Sequence, residues 1–228
     1  IEFVVGRSLG KDFTFETLKD SGYSAIYLGI GAQESRYLNI PGEDADGVYP
    51  AINFLKSVYD GKVPYVGKRV VIIGGGFTAV DSARTARRLG AHEVYIAYRR
   101  SKDEMPASQE EISVAEEEGI KVMYLVAPKA IEVSNGKVAG IKMANQVLGE
   151  RDETSRRKPE AVKYAEFILP CDAVILAAGQ RPYQEAVKNL ALDRSGMVIC
   201  EASTGATSME GVFAGGDVVN ADSVIAAI

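Results

Sequence analysis

The stretch "VVIIGGGFTAVD" (Val70–Asp81) decides the fold. Its first four residues form a continuous apolar, β-branched run, which is typical of a strand buried on both faces of a parallel sheet. Gly74, Gly76 and Ala79 then match the pattern G-x-G-x-x-[G/A]. The first glycine permits a tight turn, the second lets backbone approach a pyrophosphate, and the small third residue lets helix and strand pack closely. The stretch therefore predicts a Rossmann-like α/β fold that binds a dinucleotide at a helix N-terminus.

The elements around this turn support that interpretation. A helical pattern runs to Leu89 with Ala79, Ala83 and Ala86 on one face, and the apolar runs "EVYIAY" and "KVMYLV" predict two further strands. Ser108 begins a helix between those two strands. A purely structural glycine turn is the alternative, but the strand–helix–strand order favours nucleotide binding.

Two arginines follow the second strand, about 20 residues after the turn, where a dinucleotide-binding fold usually has an acidic residue for the ribose. An acid there bonds the 2′-hydroxyl of NAD(H) but repels the 2′-phosphate of NADP(H), whereas an arginine binds phosphate oxygens with its charged fork. Arg99 and Arg100 therefore predict selectivity for NADPH. The alternative is that one or both are surface arginines. Asp103 and Glu104, just beyond, would weaken the preference.

The composition narrows the possible partners. The 228 residues are 46% hydrophobic with a net charge of −5, so we expect a globular protein with no affinity for nucleic acid or an anionic membrane. The chain has no apolar run of transmembrane length. Two cysteines without a CxxC motif predict reduced thiols and a cytoplasmic location, and they are too few for an iron–sulfur cluster. The only histidine, His92, is expected in a solvated turn.

An internal echo predicts the domain organisation. The stretches "YSAIYLGIGAQ" (23–33) and "CDAVILAAGQR" (171–181) are both apolar strands followed by glycine and polar residues. They bracket the glycine turn, so residues 63–178 are predicted to be a domain inserted between segments 1–62 and 179–228. Within it, residues 128–170 predict short strands and polar turns, with a hairpin at "VSNGKV".

The flanking segments predict further elements. The first segment predicts a strand at "IEFVVG" and helices near residues 14–21 and 51–61. The last predicts two short strands and the start of a helix at "SVIAAI". Because that helix is cut short, we expect the chain to be a piece of a longer protein.

These motifs together resemble one family. The stretch from "VVIIGGGFTAVD" through "YRRSKDEMPAS", with "GERDETSRRKP" and "CDAVILAAGQRP", closely resembles the small (beta) subunit family of NADPH-dependent glutamate synthase. Relatives include the NADPH-side half of dihydropyrimidine dehydrogenase and the large subunit of bifurcating ferredoxin:NADP oxidoreductases. The resemblance covers essentially the whole chain.

The resemblance implies a flavoprotein in which an NADPH domain, here residues 63–178, is inserted in an FAD domain, here the remnants 1–62 and 179–228. NADPH would pass a hydride to FAD. Electrons would then move through an iron–sulfur domain or subunit to a downstream reductase or synthase subunit. Hydride transfer depends on positioning rather than on an acid or base, so no catalytic side chain and no metal ligand are predicted.

The resemblance also assigns the cofactor-binding residues. The pyrophosphate of NADPH would lie at Gly74, Gly75, Gly76, Phe77, Thr78 and Ala79, its 2′-phosphate at Arg99 and Arg100, and its nicotinamide near Ala178 and Gly179. In "VFAGGD", Gly216 and Asp217 would contact the ribityl chain of FAD.

Three features depart from the family. The family commonly has a polar residue in place of Phe77, "YLGIGA" replaces the more usual "ATGA", and the N-terminal FAD fingerprint and the cysteine-rich cluster domain are missing. The chain alone is therefore expected to carry no stoichiometric FAD and to show no NADPH-dependent turnover. The alternative function is a non-catalytic NADP(H)-binding or electron-transfer assembly module.

Overall fold

The computed structural model describes residues 1–151 and 157–219, and the chain divides into two compact units. The central unit is Ser35–Gly179, and the flanking unit combines Ile1–Glu34 with the described residues from Gln180 onward. The chain therefore crosses between the units after Glu34 and after Gly179, near the ends of the two similar stretches at 23–33 and 171–181. No helix among the described residues is long and apolar enough to cross a membrane.

The central unit contains a five-stranded sheet with the order β3-β10-β4-β5-β6, in which every neighbouring pair is parallel. The strands are β3 (Val48–Pro50), β4 (Arg69–Ile73), β5 (Glu93–Tyr98), β6 (Lys121–Tyr124) and β10 (Ala173–Leu176). From β4 the chain proceeds to β5 and β6 on one side, and it returns on the other side at β10. A topological switch point therefore lies between β4 and β10, and the predicted Rossmann-like α/β fold is confirmed.

Three helices belong to this sheet: α2 (Ala51–Tyr59), α3 (Phe77–Arg88) and α4 (Gln109–Glu117). The predicted small face of α3 is buried, with Ala79, Ala83 and Ala86 all at 0% exposure in the same core cluster as Val70 and Ile72 of β4. Small side chains let this helix lie close to the sheet, and that closeness fixes the position of its N-terminus.

Residues 35–62, which the sequence pattern places in the first segment, belong to the central unit in the structure. β3 adds to the parallel sheet beside β10, where Val48 aligns with Val174, and α2 packs against α3. A three-residue strand inside the loop "NIPGEDADGVYP" has too little pattern to be recognised from sequence.

A second, antiparallel sheet follows β6, with the order β7-β8-β9. Its strands are β7 (Val126–Ser134), β8 (Lys137–Arg151) and β9 (Arg157–Pro170). The predicted hairpin is confirmed, because Asn135 and Gly136 both have positive φ angles, 52° and 78°. The prediction of only short strands over 128–170 is wrong, since β8 has 15 residues and β9 has 14. Many positions of β9 are exposed and charged, so its sequence resembles a loop.

The flanking unit contains α1 (Phe15–Asp20), β1 (Ile26–Leu28), the first residue of β2 (Glu34–Ser35), β11 (Gln180–Arg181), α5 (Gln184–Val187) and β12 (Val212–Ala214). β1 pairs in parallel with β12, and β2 pairs with β11. Its core includes Phe15, Leu28, Val187 and Val218, and the predicted helix near residues 14–21 is confirmed.

Two predictions for this unit are wrong and one lies outside the described residues. "IEFVVG" forms no strand: Phe3, Val4 and Val5 are exposed, because a strand needs a partner edge and no described strand pairs with this segment. Of the two short strands predicted for the last segment, the first, at "GMVIC" (196–200), makes only isolated bridges, such as Leu192 with Val198, and the second is β12. The helix predicted at "SVIAAI" lies outside the described residues.

Candidate functional site

The carboxyl ends of three neighbouring strands form the edge on which most of the candidate residues lie. The Gly74 N–H donates to the Ala97 carbonyl over 3.1 Å, and the Ala177 N–H donates to the Ile73 carbonyl over 2.8 Å. The ends of β4, β5 and β10 are thereby tied together. In open α/β sheets, ligands bind outside the carboxyl ends of the strands at a switch point. The structure therefore brings together the glycine turn, the residues after β10 and the arginines after β5.

The first two glycines of the turn are required by the packing of the protein itself. Gly74 has a φ of +149°, and a Cβ there would lie 2.3 Å from the carbonyl oxygen of Ala177. A Cβ on Gly75 would lie 2.4 Å from a ring carbon of Tyr98. Both distances are too short for any side chain, so these glycines let the turn lie against β10 and β5.

Gly76 differs from the two glycines that precede it. Its φ of −90° is open to any residue, and no heavy atom lies within 4 Å of the position a Cβ would take. The packing of the chain gives no reason for glycine here. The space beside Gly76 suits a group that approaches the backbone closely, as the pyrophosphate of a dinucleotide does.

The first turn of α3 is suited to an anion. Gly76 is its N-cap and provides no capping side chain, and the first turn has no acidic residue. In α1 and α4, by contrast, the side chains of Thr14 and Ser108 cap the N-terminus. The N-cap residue of α3 therefore offers no side chain to the first N–H groups, and the helix dipole adds partial positive charge there.

Phe77 is the first residue of α3 and is 52% exposed. Its aromatic side chain cannot donate to a phosphate, so at this position only the backbone N–H can do so. Ala79, the small residue of the pattern, is fully buried against the sheet.

The two arginines after β5 have different environments. Arg99 is exposed, whereas Arg100 is only 4% exposed. The Arg100 Nε donates to the carbonyl oxygen of Arg157, at the start of β9, over 2.7 Å, and the Leu125 N–H donates to the Arg100 carbonyl over 3.1 Å. Arg99 thus lies on the open surface, while Arg100 joins β5 to the antiparallel sheet.

A segment after the arginines braces the glycine turn. The Tyr98 hydroxyl donates to the Glu104 carbonyl over 2.6 Å, and the Ala107 N–H donates to the Gly75 carbonyl over 3.0 Å. The stretch "EMPAS" contributes to the family resemblance, but its residues do not predict this contact with the turn. Ala107 makes this contact through its backbone N–H, and the sequence around an alanine does not show which carbonyl its N–H will meet.

Glu104 connects this segment to β9. Its carboxylate accepts from the Ser101 hydroxyl over 3.0 Å, from the Arg157 Nε over 3.0 Å and from the Arg157 N–H over 3.2 Å. Desolvation raises the pKa of Glu104, but these hydrogen bonds outweigh it and the net pKa is lowered. Glu104 is therefore a carboxylate at neutral pH, next to the arginines.

The remaining two candidate residues lie in the flanking unit, after β12. Gly216 has a φ of +76°, and Asp217 is exposed in a short 3₁₀ helix. A Cβ on the preceding Gly215 would lie 2.2 Å from the hydroxyl of Tyr27, the far end of an exposed side chain that can move aside, so this contact alone does not require a glycine. The stretch "GIGAQ" (29–33) leads into β2 rather than into a helix.

No alternative chemistry is evident in the described part of the chain. The described residues contain no cluster of His, Cys, Asp or Glu that could hold a metal. Burial raises the pKa of the Cys171 thiol to about 12, so it is an inert core residue rather than a nucleophile. Cys171 and Cys200 are both free thiols, and His92 is exposed, as predicted.

Comparisons with known proteins agree with this fold. The family model described as pyridine nucleotide-disulphide oxidoreductase matches residues 7–228. The glutamate synthase [NADPH] small chain of Escherichia coli K12 is 42% identical over 247 residues, covering 100% of this chain and 52% of the relative. The NADP(+)-dependent formate dehydrogenase subunit beta of Moorella thermoacetica is 38% identical over 225 residues, covering 96% of this chain and 32% of the relative.

Among solved structures, FprA of Mycobacterium tuberculosis in complex with NADPH has a similar fold. Its TM-score is 0.80 at 20% identity, covering 95% of this chain and 62% of FprA. The chain thus spans about half the length of the small chain from E. coli, and both curated relatives are named as components of larger assemblies.

Proposed function

Because the chain belongs to the pyridine nucleotide-disulphide oxidoreductase family, we propose that it is the NADPH-binding module of a flavin-dependent oxidoreductase. In this proposal NADPH binds the central unit and gives a hydride to FAD for onward electron transfer. The names of its relatives, a glutamate synthase small chain and a formate dehydrogenase beta subunit, support this role.

One observation carries the proposal: Gly76 is a glycine that the fold itself does not need. The space beside it opens at the N-terminus of α3, where the N-cap residue has no side chain, at the switch point of a parallel sheet. We propose that the pyrophosphate of NADPH lies against Gly76, held by backbone N–H groups from Phe77 and Thr78. The nicotinamide half would then extend toward Ala178 and Gly179, after β10.

The choice of NADPH over NADH rests on the end of β5. Arg99 is exposed there, and the carboxylate of Glu104, five residues further on, accepts from Ser101 and Arg157. An arginine so placed can bind a 2′-phosphate with its charged fork, and a neutral 2′-hydroxyl offers no such charge-assisted pair. We propose that Arg99 is the direct phosphate ligand and that Arg100 holds the end of β5 in place.

FAD is proposed for the flanking unit. The exposed carboxylate of Asp217 can accept a hydrogen bond from a ribityl hydroxyl, and the positive φ of Gly216 shapes the turn that presents it. When bound, the flavin supplies the chemistry, because it accepts the hydride from nicotinamide. The residues of this chain bind and orient; none of them needs to donate or accept a proton.

The onward partners and the location are also proposals. An iron–sulfur domain or subunit would take electrons from the flavin and pass them to a downstream reductase or synthase subunit. Both cysteines are free thiols, which supports a cytoplasmic location.

A second candidate is a non-catalytic NADP(H)-binding or electron-transfer assembly module. It is favoured by one observation, that "GIGAQ" leads into β2 and not into a phosphate-binding helix. The visible absorbance of the purified chain separates the two functions. A flavin spectrum that bleaches with NADPH supports the oxidoreductase, and NADPH binding without flavin supports the assembly module.

Titration with NADPH and NADH tests the nucleotide choice. The unmodified chain should favour NADPH by about 1.5–3 kcal/mol, the worth of a charge-assisted hydrogen bond, or at least roughly tenfold in Kd. Arg99→Ala should remove most of this preference and leave the affinity for NADH nearly unchanged. Arg194→Ala, which removes an exposed arginine of the flanking unit, is the matched control and should change neither affinity. Equal affinity of the unmodified chain for both nucleotides would contradict the proposal.

A further inference from the structure

The peptide group between Gly75 and Gly76 lies at the centre of the proposed pyrophosphate site. Its carbonyl oxygen accepts the Ala107 N–H over 3.0 Å. In a trans peptide the C=O and N–H bonds point in opposite directions, so the Gly76 N–H points away from Ala107. No residue in the described parts of the chain accepts a hydrogen bond from this N–H, so it is open to a ligand.

The protein has to hold this orientation, because neither Gly75 nor Gly76 has a Cβ that would limit rotation of the peptide group between them. If the group rotated by about half a turn, a carbonyl oxygen would face a bound phosphate in place of an N–H. Turns bind anions through N–H groups that converge on them, so the rotated form would bind a pyrophosphate more weakly. The hydrogen bond from Ala107 opposes this rotation.

Tyr98, the last residue of β5, contacts both sides of this hydrogen bond. Its ring lies against Gly75, where a Cβ would be 2.4 Å from a ring carbon. Its hydroxyl donates over 2.6 Å to the carbonyl of Glu104, in the segment that ends at Ala107. Because Tyr98 is only 6% exposed, its ring has little room to leave this position.

Glu104 gives this segment a fixed point. Its carboxylate accepts from the Ser101 hydroxyl and from the Nε of Arg157 in β9, each over 3.0 Å, and its side chain is only 13% exposed. The Tyr98 hydroxyl therefore joins β5 to a segment that is also anchored to the antiparallel sheet.

We propose that Tyr98 is a positioning residue for the pyrophosphate of NADP(H): it keeps the peptide group between Gly75 and Gly76 in the orientation that presents the Gly76 N–H to a phosphate oxygen. This inference rests on the proposed function and deepens it. Tyr98 does not bind the phosphate itself. It acts through its contact with Gly75 and, by way of the segment that contains Glu104, through the N–H of Ala107.

The experiment measures the binding of 2′-phospho-ADP-ribose and 2′-AMP to the full chain by calorimetry. Both probes have the adenosine and its 2′-phosphate, and only the first has the pyrophosphate. Tyr98→Phe keeps the ring and removes the hydroxyl, so it should weaken 2′-phospho-ADP-ribose about fivefold, the equivalent of one neutral hydrogen bond, and leave 2′-AMP unchanged. Tyr95→Phe is the matched control: it removes a hydroxyl that donates to Glu93 in the same strand, and it should leave the ratio of the two affinities unchanged.

Ala107→Pro tests the hydrogen bond to the peptide group directly, because proline has no N–H. It should weaken 2′-phospho-ADP-ribose at least as much as Tyr98→Phe does, whereas Ala107→Gly, which keeps the N–H, should bind this probe more tightly than Ala107→Pro. Tyr98→Phe combined with Ala107→Pro should bind no worse than Ala107→Pro alone, because the hydroxyl acts through this bond. Additive losses would overturn the positioning role.

The outcomes separate this inference from the function on which it rests. If the unmodified chain binds 2′-phospho-ADP-ribose no better than 2′-AMP, the proposed pyrophosphate site itself fails. If it prefers the first probe, but Tyr98→Phe keeps that preference or weakens both probes equally, then Tyr98 only stabilises the fold and the inference is overturned. This comparison alone decides the question if Ala107→Pro shows no thermal unfolding transition and therefore does not fold.

Discussion

At the scale of single residues, the glycine turn separates what the fold requires from what a ligand requires. Gly74 and Gly75 lie against Ala177 and Tyr98, so a side chain on either would collide with the protein. Gly76 faces open space and has ordinary backbone angles. The sequence pattern assigns Gly74 to the tight turn and Gly76 to the pyrophosphate, but it gives no role to Gly75, because the contact of Gly75 with Tyr98 exists only once β5 lies beside the turn.

Serine substitutions at Gly75 and Gly76 test this distinction. Gly76→Ser should leave the unfolding temperature unchanged or raise it, because serine is a good N-cap, yet it should weaken NADPH and NADH alike by filling the space proposed for the pyrophosphate. Gly75→Ser should lower the stability by about 1–3 kcal/mol, as overpacking does. Thermal unfolding and nucleotide titration on both variants give the answer. A Gly76→Ser protein that binds both nucleotides normally would place the pyrophosphate elsewhere.

At the scale of elements, the sequence predicted the buried parallel strands well and the exposed antiparallel ones poorly. β4 and β10 are covered on both faces, so they appear as continuous apolar runs. In β9, "RKPEAVKYAEFILP" mixes charged and apolar residues, because much of the strand faces solvent. Arg157 was missed for the same reason: its role depends on a strand whose pairing the sequence pattern does not reveal.

The pairing of β4 with β5 also includes an ion pair at the amino ends of the strands. Arg69 and Glu93 are direct partners in the register, with their side chains 2.6 Å apart, and the Tyr95 hydroxyl donates to the same carboxylate over 2.7 Å. Hydrogen bonds from Arg69 and Tyr95 lower the pKa of Glu93 from 4.5 to about 2. Because the folded-state pKa is lowered, this contribution to stability is complete above about 4.5 and is lost as the pH falls toward 2.

Glu93→Gln should therefore flatten the acid side of the stability curve. We expect the unfolding temperature of the unmodified chain to fall more steeply than that of the variant between pH 4.5 and about 2, and the two curves to differ by a constant amount above this window. Glu117→Gln, at an exposed position of α4, is the control and should follow the unmodified chain. Parallel curves for Glu93→Gln and the unmodified chain would mean that the ion pair contributes no pH dependence.

At the scale of the whole molecule, the chain passes twice between its units, and the candidate residues divide accordingly. Those proposed for NADPH lie in Ser35–Gly179, and Asp217, proposed for FAD, lies in the flanking unit. From the similar stretches at 23–33 and 171–181 we predict an inserted domain that begins at residue 63, whereas the central unit begins at Ser35. The similarity did not predict that residues 35–62 belong to the central unit, because β3 joins that unit by pairing with β10 and not by its local pattern.

Hydrogen exchange measured with and without 2′,5′-ADP tests this division. The probe has the adenosine half and the 2′-phosphate but no nicotinamide, so its binding should slow exchange at the ends of β4 and β5, in peptides that contain residues 74–80 and 97–101. Peptides that contain residues 212–219 should exchange at the same rate with and without it. Asp217→Ala is the matched variant: it should leave the protection at residues 74–80 intact, whereas Arg99→Ala should reduce it at the same probe concentration, since weaker binding protects less. Equal protection of residues 74–80 and 212–219 by this probe would show that the adenosine half is not confined to the central unit, and the assignment of one cofactor to each unit would fail.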